Sequence, residues 1–99
     1  MIKHIVMWRL KEENPAEKLE LARTLKSKLE NLKNLIPEIV QIEAGINIIP
    51  SEAAFDVVLF SLFVTEKELG DYQNHPEHIK VGDFLKEIVS ERTVVDYEV

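Results

Sequence analysis

The chain opens with a segment that is apolar on both sides. Alternate positions of Ile2–Leu10 hold His4, Val6, Trp8 and Leu10 on one side and Lys3, Ile5, Met7 and Arg9 on the other. Period-two alternation predicts a strand, and apolar residues on both faces predict cover on both. Asn14-Pro15-Ala16-Glu17 is a helix start, with Asn14 as N-cap, Pro15 at the first helical position and Glu17 three residues on. Leu19, Ala22, Leu25, Leu29, Leu32 and Ile36 then recur at steps of three and four, one stripe of a long helix that Pro37 ends. Ile39–Ile49 reads as a second strand, in which Gly45 marks a bulge or the close approach of another backbone. Phe55–Val64, interrupted only by Asp56 and Ser61, reads as a central strand buried on both faces.

Thr65 and Glu68 form a second capping box, opening a short helix through Leu69, Tyr72 and Gln73. Pro76 breaks it and starts another, with Asn74 or His75 as cap. His78, Val81, Leu85 and Ile88 or Val89 lie along one side of that helix, and Thr93–Val99 ends the chain as a fourth strand. The order β-α-β-β-α-β predicts an α+β, ferredoxin-like domain: a four-stranded antiparallel sheet with its helices on one face. Those helices leave the other face bare, although Ile5, Met7 and part of the third strand make it apolar. A second copy of the same sheet is the simplest cover, so a homodimer closed into an α+β barrel is expected.

Length and composition narrow the function. The 99 residues make one domain. With no cysteine, disulfides and thiolate metal sites are excluded. Eighteen acidic residues against 12 basic ones give a net charge of −6, which disfavours a nucleic-acid partner. An RNA-recognition module shares the element order but needs basic, aromatic inner strands, and these are aliphatic. No apolar run is as long as a membrane span, and the N-terminus lacks a signal-peptide cleavage pattern, so no membrane partner and a cytoplasmic location are expected.

Few side chains carry chemistry. Without a nucleophile elbow or a Gly-rich phosphate loop, the candidates are His4, Tyr72, His75, His78, Tyr97, Trp8 and Asp56. Tyr72 and His78 lie either side of the Pro76 break, each on an inward stripe, and His4 shares a strand face with Val6 and Trp8. A neutral imidazole beside a phenol in a partly apolar pocket is an acid–base pair. The plainer reading makes His78 a satisfied core histidine, His4 a solvated strand end, and Tyr72 a buried ring with a wet hydroxyl. His75 fits a cap better than a catalyst. His75 and His78 have metal-ligand spacing, but Pro76 spoils its geometry, so neither a metal nor another cofactor is expected. Asp56 marks the start of the third strand or bonds across the dimer.

The opening His4-Ile5-Val6-Met7-Trp8-Arg9, the strand Phe55-Asp56-Val57-Val58-Leu59, the element Tyr72-Gln73-Asn74-His75-Pro76-Glu77-His78 and the closing Arg92-Thr93-Val94-Val95-Asp96-Tyr97 resemble the stress-responsive A/B barrel (Dabb) family over nearly the whole chain. The Tyr-x-x-His-Pro-x-His element is the most specific of these. The resemblance implies dimeric α+β barrels with a cavity between sheet and helices in each protomer. In a plant polyketide cyclase of that family, the tyrosine and the second histidine act together, the histidine as base in an aldol-type ring closure. Carried over, those roles fall on Tyr72 and His78, with His4 as the strand histidine. The cavity wall would then hold His4, Val6, Trp8, Leu25, Leu29, Val81 and Leu85, around a small apolar or aromatic ligand. The first helix departs from the cyclase in having no aromatic residue. Two alternatives belong to other classes: a non-enzymatic stress-associated dimer, and a barrel like the cofactor-independent monooxygenases.

Overall fold

The computed structural model describes residues 1–99. β1 (Ile2–Leu10), α1 (Pro15–Leu35), β2 (Gln41–Ile46), β3 (Val57–Phe63), α2 (Glu66–Asn74), α3 (Pro76–Ile88) and β4 (Val89–Glu98) follow in that order. The strands form one antiparallel sheet, β2-β3-β1-β4, with helices on one face, which is the ferredoxin-like α+β plan. No helix is long and apolar enough to cross a membrane.

Local sequence explains the helices. The Asn14 side chain accepts from the N–H groups of Ala16 and Glu17, both at 3.1 Å. Ala22, Leu25, Leu29 and Leu32 of α1 are buried, and Ile36 closes the helix by donating to the Leu32 carbonyl at 2.9 Å. Leu19 departs from the expected stripe. It is 39% exposed, because this first part of α1 lies beside the surface loop from Ile46 to Pro50 rather than over the sheet. About two turns beyond Leu19, α1 also bonds the free border of β2 at Ala44. Lys26 Nζ donates to the Ala44 carbonyl at 2.6 Å, and the Ala44 N–H donates to Glu30 Oε2 at 3.1 Å. The Lys26 partner, above all, holds the Glu30 carboxyl below its ordinary pKa.

Strand ends differ from the pattern because tertiary partners set them. β2 spans Gln41–Ile46, not Ile39–Ile49: Asn47 turns to donate its N–H to the Asp56 carbonyl at 2.9 Å, leaving Ile48 and Ile49 in solvent. β3 begins at Val57, because Asp56 is tied to β1. Its N–H donates to the Trp8 carbonyl and its carboxylate accepts from the Leu10 N–H, both at 2.8 Å. Asp56 thus bonds within the protomer, ahead of the strand that it was expected to open. β4 begins at Val89, four residues earlier than Thr93, since Val89 pairs with Leu10 past a register shift in β1. Gly45 makes room for a side chain: a Cβ there would stand 3.2 Å from Val58 Cγ1.

The two sheet faces are unlike. Toward the helices lie His4, Val6, Trp8, Val57, Leu59, Ser61 and Phe63, all buried. The opposite face is uncovered in the protomer. Cross-strand neighbours there run Val58–Met7–Thr93 and Phe60–Ile5–Val95, and Lys3 stands over the rings of Phe60 and Tyr97. β3 is thus buried on one face only within a single copy.

Candidate functional site

Three rings meet under the break between α2 and α3. Thr65 starts α2 by accepting from the Lys67 N–H at 3.2 Å, which turns Leu69 and Tyr72 inward. His75 ends α2 and caps α3: its Nδ1 accepts from the Glu77 N–H at 3.1 Å, with Pro76 in the first helical position. On an unbroken helix, residues six apart point about 120° from each other. The break removes that divergence. Tyr72 and His78 pack with ring centroids 4.5 Å apart, and His4 of β1 lies 6.2 Å from Tyr72. Phe63 supports the same phenol at 4.9 Å.

Beside these rings is a cavity of about 280 Å³. That is near the lower end of the range for small-molecule sites, ~300–1,000 Å³. His4, Val6 and Trp8 form its floor; Tyr72, His78, Val81 and Leu85 form its helical wall; Leu29 reaches it from α1. Of the residues expected to line such a space, Leu25 alone is absent. It is fully buried in the core, one turn from Leu29. Leu59, Gly82, Lys86, Val89 and Arg92 complete the lining, and of these only Val89 lies on the stripe that the spacing marks. Spacing puts Val89 on the helix and Arg92 just ahead of the last strand, whereas β4 includes both.

The rings differ in chemistry. The Tyr72 hydroxyl is buried and has no hydrogen-bond partner. Burial raises its pKa far above the ordinary phenol value, so it stays a proton donor. His78 is shifted the other way. Burial lowers its pKa, and the charges at His4 and Arg92 add to this, against an opposing effect of the Gln73 carbonyl. At neutral pH its imidazole is uncharged and free to accept a proton. His4 is buried, not a solvated strand end, and its Nδ1 donates to the Asp96 carboxylate across the β1–β4 ladder. A carboxylate only accepts, so this bond fixes the Nδ1–H and leaves Nε2 as an acceptor in the neutral ring. Asp96 is a further residue that composition did not single out. Nowhere do three or more His, Cys, Asp or Glu side chains cluster as metal ligands would.

Comparisons with known proteins agree with this architecture. A profile of the Stress responsive A/B Barrel Domain matches residues 2–99, and the chain belongs to that family. A dimeric protein of unknown function and ferredoxin-like fold from Bacteroides fragilis is 36% identical, with 99% of this chain and 95% of that one covered and a TM-score of 0.89. A dimeric ferredoxin-like protein of unknown function from Thermobifida fusca is 22% identical (99% and 90% covered, TM-score 0.80). The hydroxynitrile lyase of Passiflora edulis is 19% identical (99% and 92% covered, TM-score 0.77) and shares the fold. No curated protein matches the sequence.

Proposed function

We propose that the chain is a homodimeric barrel whose cavity binds a small apolar or aromatic carbonyl compound and performs acid–base chemistry on it with Tyr72 and His78. One observation carries the reading: a buried phenol without a partner, close to two histidines at the edge of an apolar cavity. An unsatisfied buried hydroxyl costs about 1–3 kcal/mol, and a ligand oxygen is the partner it lacks. His78 is the base. In the bond-forming direction it takes a proton from the carbon beside a carbonyl, and the enolate adds to a second carbonyl whose oxygen Tyr72 hydrogen-bonds. In the bond-breaking direction it takes the proton of the hydroxyl that becomes the carbonyl. A fold shared with a hydroxynitrile lyase supports a C–C bond reaction of this type. The dimer is supported by the uncovered apolar sheet face and by the dimeric Bacteroides relative.

Proton abstraction is measured as deuterium uptake from heavy water into acetophenone and acetylacetone, followed by proton NMR. The wild type should exceed the buffer rate, and His78→Ala should fall to it while sedimentation shows an unchanged dimer. Equal rates in the two proteins refute the role of His78.

A further inference from the structure

The cavity wall has a charge pattern opposite to that of the molecule. Acidic residues outnumber basic ones 18 to 12 in the chain, yet no Asp or Glu lines the cavity, while Lys86 and Arg92 do. Arg92 lies opposite Trp8 in the β1–β4 ladder, so it shares the sheet face of the floor. It is exposed, and its guanidinium makes no ion pair or hydrogen bond within the chain. Its charge is felt at His78, which places it within electrostatic reach of the rings. Lys86 follows Leu85 on α3, and its one ion pair, to Asp83, is long at 3.8 Å between well-exposed groups. The helices leave β4 exposed, and the two cations line the cavity from these neighbouring elements, Lys86 from α3 and Arg92 from β4. At a net charge of −6 the molecule repels anions over distance, but screening confines that repulsion to about 8–10 Å, and a guanidinium at the mouth dominates inside that range.

We propose that Arg92, assisted by Lys86, binds a carboxylate on the ligand, so that this site takes small apolar or aromatic acids with the apolar body inward and the acid group at the mouth. This rests on the cavity being a ligand site, as argued above, but not on the reaction assigned to His78. A planar guanidinium with free donors fits a carboxylate by two parallel hydrogen bonds, which an ammonium or an amide does not reproduce. Apolar walls then select the body, and the cation selects the head.

Trp8, the single tryptophan, is buried in the cavity floor and reports occupancy by its fluorescence. Phenylacetate and its uncharged isostere phenylacetamide are titrated into the wild type, Arg92→Gln, Arg92→Lys and Lys86→Gln. The wild type should bind phenylacetate about tenfold more tightly than the amide, the preference shrinking as salt is added. Arg92→Gln should remove most of the preference, and Arg92→Lys and Lys86→Gln should keep more of it. Equal binding of both probes to the wild type, or a preference undiminished in Arg92→Gln, overturns the proposal and leaves the cavity reading intact. If neither probe disturbs Trp8 at millimolar concentration, both fall.

Discussion

Tyr72 buries a hydroxyl that nothing in the protomer satisfies, and such a group is kept at the expense of stability. Tyr72→Phe should therefore be neutral or stabilising by up to about 1 kcal/mol in denaturant unfolding, while losing any proton-transfer activity. A loss of stability above that size would show that the hydroxyl is already satisfied. His78 has the opposite signature. Its folded pKa lies below the unfolded value near 6.5, so the unfolded chain binds the extra proton in the interval between them. Its contribution to stability is complete above pH ~6.5 and is lost as pH falls toward the folded pKa. Thermal melts of His78→Gln should accordingly lose less stability than the wild type between pH 6.5 and 5, and parallel curves would contradict this. These two rings and His4 were legible in the sequence because each falls on an apolar stripe. Arg92 and Asp96 were not. They sit on a strand exposed along both faces, where alternation carries no hydrophobic signal, and only the β1–β4 register places them beside Trp8 and His4.

The break between α2 and α3 is written locally, in His75 and Pro76. Losing the His75 cap should cost about 1 kcal/mol, so His75→Ala should lower the melting temperature and His75→Asn should restore it. Equal melting temperatures for His75→Ala and the wild type would assign the break to Pro76 alone. The same locality explains why both N-caps, Asn14 and Thr65, and the α1 stripe could be read from spacing, although the Asn14 N–H goes to Glu12 rather than to Glu17 as a capping box would have it. Strand ends could not, since Asp56, which ends one loop by bonding Leu10 and Trp8, is 46 residues from the N–H it accepts. Nor could Leu19, whose exposure depends on how far α1 overhangs the sheet.

At the scale of the whole molecule, the proposed assembly turns on the bare sheet face. Met7 lies between Val58 and Thr93, at the middle of that face. Placing a carboxylate there would bury an unpaired charge in a face-to-face dimer. Met7→Asp should sediment as a folded monomer at micromolar concentration, with an unchanged far-ultraviolet circular dichroism spectrum. An undisturbed dimer would locate the interface elsewhere. Apolar residues on both sides of β1 were enough to pose this question from the sequence. The borders of the sheet add a constraint of their own. β2's outer margin is stitched to α1 through Lys26, Glu30 and Ala44, whereas β4's is unclaimed. Endless fibril growth by strand addition requires two receptive margins on every copy, and here one is obstructed by α1 at Ala44. An edge-to-edge encounter through β4 leaves that obstructed margin outward on both copies, which disfavours polymerising by the same route.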